Sequence, residues 1–183
     1  MKIPSKVKEF YKTLPEKHVL SVLFAEHELI LEIMIKMKDA NSQLQTLSGY
    51  GEADDIIEEL QECSKILLDT ETHLLREEVL FAEMIAKNIV GPPRVMIMEH
   101  EMLLKSKNIF FNIMNDYSSF NWNEFKIQVN DLCIKLYYKL WDHMQRENEE
   151  IFPKAYKAIN DDELWSKMSD ECDKIGYELI SPI

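Results

Sequence analysis

Four of the five histidines fall into a pattern that occurs twice: a lone histidine, then a histidine followed four residues later by glutamate. His27 stands in AEHELIL and His73 with Glu77 in THLLREEVLF; His100 stands in MEHEMLL and His143 with Glu147 in DHMQRENEEIFP. Residues four apart on a helix share a face, about 6 Å from each other along the axis, so each HxxxE unit aims both side chains the same way. The lone histidines sit in apolar runs of the same period: Leu20, Leu23, Phe24, His27, Ile30, Leu31 and Met34 in one, Met96, Ile97, His100, Leu103 and Leu104 in the other. A fold that obeys this pattern turns all these imidazoles and both carboxylates inward. Buried together they cost free energy unless a cation balances them, and imidazole with carboxylate is the donor mixture that suits a pair of iron-like ions.

The rest of the chain agrees with long helices. Only four glycines and six prolines interrupt 183 residues, and Leu, Ile, Met, Glu and Lys, all good helix formers apart from Ile, abound. The expected class is all-α, with one domain over residues 1–183 and a sizeable core. A formal charge of −12 without a basic stripe argues against nucleic acid or an anionic membrane surface as partner. MKIPSKVKEFYK is not followed by an apolar stretch of signal-peptide form and no run reaches the length of a membrane span, so the expected location is cytoplasmic. Cys63, Cys133 and Cys172 are widely spaced and odd in number, which speaks against a disulfide framework; Cys63 and Cys133 read as small core residues.

Capping signals divide the chain. Thr13 and Glu16 around Pro15 predict a first helix from there to the mid-40s, and SGYG breaks it. A second runs from Asp54 past Glu77 to the NIVGPP segment, and a third from Arg94 to about Asp116. Asn121 with Glu124 caps a fourth through His143 and Glu147, which Pro153 kinks or ends. Leu164, Trp165, Met168 and Ile175 mark a short fifth helix. Four long helices with short connections predict an up-down-up-down four-helix bundle, its core over about residues 13–157, with a helical extension over 158–183. At about 1.5 Å per residue, His27 then lies level with His73 and Glu77, and His100 meets His143 and Glu147. EHE recurs 73 residues on and HxxRE 70 residues on, so a quasi-twofold site between two helical hairpins is expected.

These residues resemble the hemerythrin HHE cation-binding family, over about residues 13–157. HMQRENEEIFP looks like that family's histidine, glutamate and LFP-type ending, and THLLREEVLF like a shifted first copy. The resemblance implies a non-haem di-iron centre in a four-helix bundle, with His27, His73, His100 and His143 as terminal ligands and Glu77 and Glu147 bridging. Two departures bear on function. Oxygen-carrying hemerythrins have a further histidine where this chain has Leu104, and an aspartate where it has Asn148. The four-histidine, two-glutamate set is similar instead to that of bacterial proteins associated with repair of iron centres after nitrosative damage, which makes reversible oxygen carriage a weaker expectation.

Counting donors, two bridging glutamates and two histidines for each of two iron ions leave room for an oxo or hydroxo bridge and an open position; manganese suits the same donors. The expected partners are oxygen, nitric oxide or peroxide, with a redox or iron-accepting protein. An enzyme reducing nitric oxide or peroxide, and a regulatory module whose fold depends on iron, are the rival classes: turnover with an electron donor marks the first, iron-dependent partner capture the second. A ferritin or rubrerythrin site needs glutamate three residues before a histidine, and no histidine here has one; HExxH and GxGxxG are absent too. Any one histidine alone is more often a core or surface residue, but four histidines and two glutamates in register argue for metal. His18 falls on the opposite face from His27 and is expected not to ligate. Met34, Met84, Met96, Met98, Met102 and Met114 read as core filler, and Tyr137 and Tyr138 lie too far round the helix to ligate. The acidic runs read as solvated faces apart from Glu147.

Overall fold

The computed structural model describes residues 2–177. These residues form helices and turns, and among them there is no strand. In chain order the helices are α1 (Ser5–Tyr11), α2 (Val19–Leu44), α3 (Asp54–Asp69), α4 (Glu71–Ala86), α5 (Gly91–Asn115), α6 (Trp122–Arg146), α7 (Phe152–Ala158) and α8 (Asp162–Ile175). The all-helical class expected from the scarcity of breakers holds for the described residues. None of their helices is long and apolar enough to cross a membrane. The last part of the expected extension, residues 178–183, lies outside the described residues.

The boundaries differ from the capping signals in three places. Thr13 does not cap a helix; its hydroxyl donates to the Phe10 carbonyl at 2.7 Å, closing the unforeseen α1. Helix α2 starts at Val19, where His18 Nδ1 accepts from the Leu20 amide at 3.2 Å. The expected second helix is two, because Thr70 turns to ψ 5° between α3 and α4; β-branched Thr beside Asp is a weak interior pair. Pro153 does not end the chain's helical path. It lies in the first turn of α7, directly after a π turn over Glu147–Ile151. Proline removes a donor and crowds the carbonyl four residues back, and the wider π turn accommodates both.

Other signals hold. Asn121 Oδ1 accepts from the Glu124 amide at 3.0 Å and its amide donates to the Glu124 carboxylate at 3.0 Å, the reciprocal cap that starts α6. Helix α4 stops where Asn88 takes φ 65°, with Ile89 donating to Met84 O at 2.9 Å and Asn88 to Ile85 O at 2.9 Å, a Schellman ending with asparagine in the left-handed position. The prolines at 92 and 93 then sit in the first turn of α5, where their missing N–H groups cost nothing.

The chain packs as two compact units. One comprises the described residues of Met1–Leu29, Thr70–His100 and Asp142–Ile183, the other Ile30–Asp69 and Glu101–Trp141. The second has a core of Met34, Met37, Leu44, Leu60, Leu67, Phe110, Met114, Phe125, Val129 and Leu136, all buried. Its buried Asn41, Ser64 and Ser106 are hydrogen-bonded to Asn130, the Gln61 carbonyl and the Met102 carbonyl. In the first unit α8 packs on α4, and Leu20, Leu23, Leu80, Phe81, Phe152, Trp165 and Met168 are buried. Met98 and Met102 are corrections: they are 65% and 51% exposed, whereas Met34, Met84, Met96 and Met114 are core.

Candidate metal centre

All six side chains singled out from the sequence fall in the first unit and are buried, none more than 3% exposed. His27 comes from α2, His73 and Glu77 from α4, His100 from α5, His143 from the last turn of α6, and Glu147 from the π turn. The i, i+4 spacing does what helix geometry requires: His73 Nε2 lies 3.2 Å from Glu77 Oε1, and His143 Nε2 lies 3.1 Å from Glu147 Oε1. The imidazoles pair, His27 with His73 at 4.8 Å between ring centroids and His100 with His143 at 5.0 Å. Phe152 stacks on His27 at 5.6 Å and Phe81 lies 5.7 Å from His100, so the rings are walled by apolar surface.

Each carboxylate faces both imidazole pairs. Glu77 Oε1 is 3.1 Å from His27 Nε2, and Oε2 is 3.3 Å from His100 Nε2. Glu147 Oε2 is 3.5 Å from His27 Nε2, and Oε1 is 3.7 Å from His100 Nε2. Two donor sets result, one of Glu77, His100, His143 and Glu147 and one of His27, His73 and Glu77, their donor atoms within 4.8 Å of one another in each.

The outer nitrogen of every imidazole is already taken. His73 Nδ1 bonds Glu26 at 2.8 Å, His143 Nδ1 bonds Glu99 at 2.9 Å, His100 Nδ1 bonds Glu78 at 3.0 Å, and His27 Nδ1 bonds Asn148 Oδ1 at 3.0 Å. A proton on Nδ1 satisfies such acceptors and leaves the Nε2 lone pair facing inward, the arrangement that orients imidazoles toward metal ions. Arg76, itself buried, donates to Glu26 and to the Gly176 carbonyl, while Arg146 donates to Glu99 at 2.5 Å. Tyr11 stacks on Phe24 at 4.0 Å and donates to the Asn148 carbonyl at 3.2 Å; burial, then the charges of Glu147 and Glu77, hold its phenol well above the usual range.

The electrostatics ask for positive charge. Burial opposes protonation of His73, but the Glu77 charge and hydrogen bonds to Glu26 and Glu77 outweigh it and raise its pKa to about 9. His100, against the same opposition, is raised to about 10 by Glu147 and Glu77, and His143 is also raised, by Glu147 and Glu99. Glu77, despite burial, is held well below the usual carboxylate range by His73, His100 and His27. The His143 hydrogen bond takes Glu99 to about 2, with burial opposing and Arg146 assisting. A cluster that pulls protons onto imidazoles in an apolar pocket offers the same field to a metal cation.

The residues fit a metal by another observation. Glu77 Oε2, His100 Nε2, His143 Nε2 and both carboxylate oxygens of Glu147 are buried without a hydrogen-bond partner. Buried polar atoms are ordinarily paired, and these are the atoms that face one another across the pocket.

The sequence missed the surrounding acceptors and cations: Glu26, Glu78, Glu99, Asn148, Arg76, Arg146 and Tyr11. The signal was there for most, since Glu26 and Glu99 precede the lone histidines of the two EHE motifs and Arg76 and Arg146 fall inside the two HxxRE motifs. Asn148 is buried rather than part of a solvated run, because the π turn widens the inward face to take both it and Glu147. His18 stays outside the cluster, its ring 4.5 Å from Trp165. Tyr137 and Tyr138 belong to the other unit, the first buried and the second exposed.

Helices that gather imidazoles around two buried carboxylates define an all-helical protein with a site able to hold a metal. The chain belongs to the hemerythrin family: the model of the hemerythrin HHE cation binding domain matches residues 18–155. Comparison with curated proteins gave no match.

Proposed function

We propose that the chain holds two iron ions and there binds or senses a small ligand, namely oxygen, nitric oxide or peroxide, or handles iron itself. In this reading His27 and His73 would hold one ion and His100 and His143 the other, with Glu77 and Glu147 offering carboxylate oxygens to both. The observation that carries it is the set of inward-facing atoms left without hydrogen bonds in a buried pocket, Glu77 Oε2, both Glu147 oxygens and the Nε2 atoms of His100 and His143, beside His27 Nε2, which bonds Glu77 at 3.1 Å, while every Nδ1 is occupied from outside. Iron bound there would supply redox and Lewis-acid chemistry; manganese fits the same donors.

The chain's own residues do the rest. Glu26, Glu78 and Glu99 hold protons at Nδ1 of their imidazoles, and Phe81 and Phe152 keep water from the rings. The up-down-up-down bundle, with residues 1–183 as one hemerythrin-like domain, is the topology we propose for this site. The cytoplasm is its proposed compartment, in keeping with three cysteines that are all unpaired and buried.

Nitric oxide, oxygen and peroxide titrated in turn into ferrous-loaded protein test the reading by visible absorption. A saturable change with at least one ligand, lost in Glu147→Ala together with metal content, is the expected result. Loaded protein that responds to none of the three contradicts a role in small-ligand binding.

A further inference from the structure

Among the side chains that hydrogen-bond the outer nitrogens of the four imidazoles, the two halves differ in residue type at one position. Glu26, His73 and Arg76 form a chain of hydrogen bonds that Glu99, His143 and Arg146 repeat in the other half. The 70-residue offset that relates His73 to His143 and Glu77 to Glu147 also relates Glu78 to Asn148. Both accept from the outer nitrogen of a lone histidine at 3.0 Å, Glu78 from His100 and Asn148 from His27. One acceptor is a carboxylate and the other a neutral amide.

The difference has two physical consequences. A carboxylate behind an imidazole makes it a more basic metal ligand, and an amide does so less. An ionised carboxylate can also only accept, so it fixes the imidazole proton on Nδ1, whereas an amide carries both an acceptor and a donor. Asn148 Nδ2 is buried without a partner, so nothing on its donor side locks the amide in place. Turned over, it would donate to His27 Nδ1 and move the His27 proton to Nε2, which faces Glu77 at 3.1 Å and Glu147 at 3.5 Å. In that state His27 has no lone pair to offer inward. His73, His100 and His143, each backed by a carboxylate, have no such alternative.

We propose that Asn148 is a positioning residue that makes the two ion positions unequal, so that the ion held by His27 and His73 is the weaker bound and the first to leave. This rests on the two-ion reading above. It gives a chain that handles iron a defined exchangeable position beside a retained one.

The test is stepwise removal of iron from the loaded full-length chain by a graded series of chelators, with metal content read at each step. Wild type is expected to lose its ions in two steps of one ion each, separated by about tenfold to a hundredfold in affinity, the usual cost of a lost outer partner. Asn148→Asp, which supplies the missing carboxylate, should merge the steps at the tighter affinity. Glu78→Gln should merge them at the weaker one, and serves as the test should a buried aspartate at 148 prevent folding. Wild type that binds two ions and releases them in one step overturns the inference and leaves the two-ion reading intact, as does a Glu78→Gln chain whose gap is unchanged or wider. A wild-type chain that takes up no iron overturns both.

Discussion

The two compact units bury their polar groups in opposite ways. In the unit of Ile30–Asp69 and Glu101–Trp141, apolar packing fills most of the core, and none of the buried Asn41, Ser64, Ser106 and Lys107 is without a partner. Among the described residues, every buried side-chain polar atom without a partner lies in the other unit. Most belong to the six candidate ligands or to Arg76, Arg146 and Asn148 beside them. A dry core satisfied by its own contacts needs nothing further to be stable. A core with unpaired carboxylate and imidazole atoms reaches its full stability only with a cation, so the same fold should respond to metal in one unit and to packing in the other.

Metal removal should break this contrast most strongly. At a free ion concentration a thousandfold above the dissociation constant, loading stabilises by about 4 kcal/mol per site. Thermal melts with and without chelator should therefore differ by many degrees, and equal melts would contradict ion dependence. Next comes Phe125→Ala in the dry core, expected to cost about 3–5 kcal/mol by cavity formation while iron content stays unchanged. Loss of iron in that variant would show that the two cores are not separable in this way.

The contrast is sharpened through pH. In the ion-free chain His73 and His100 have folded-state pKa values near 9 and 10, above the ordinary 6.5. Their contribution to stability is complete below 6.5 and is lost as pH rises through 9 and 10. Glu99, held at about 2 against an ordinary 4.5, contributes fully above 4.5 and loses that as pH falls toward 2. Chelated protein should thus melt lower at pH 10 than at pH 6.5. Bound ions replace those protons, so the loaded chain should lose less over the same range. A chelated chain equally stable at both would contradict the protonated cluster. The smallest change is His18→Ala, which removes the acceptor of the Leu20 amide at the start of α2: about 1 kcal/mol of stability, with metal content unaltered.

Much of this was legible in the sequence, for physical reasons that differ between residues. His73, Glu77, His143 and Glu147 could be placed together because the helix repeat dictates i, i+4 neighbours, and His27 and His100 because their apolar runs carry the same period. Helix starts were legible at Asn121, where the cap is local and reciprocal. They were not at Thr13 and Glu16, whose cap pattern lost to a turn closing α1. The break at Thr70 and the π turn before Pro153 depend on backbone choices that propensity settles only weakly. The acceptors behind the imidazoles lie far off in sequence, Glu26 47 residues from His73 and Asn148 121 from His27, so only their recurrence at fixed offsets hinted at them. Asn148 in particular reads as a surface residue until the π turn brings it inward.

The central claim is that six buried side chains hold two ions, and metal analysis of protein purified without oxygen, followed by a near-ultraviolet spectrum after oxidation, tests it most directly. Two irons per chain with oxo-bridge charge-transfer bands, both reduced in Glu77→Ala and Glu147→Ala, is the predicted result. A folded chain that stays free of metal when offered ferrous or manganous ions would contradict it.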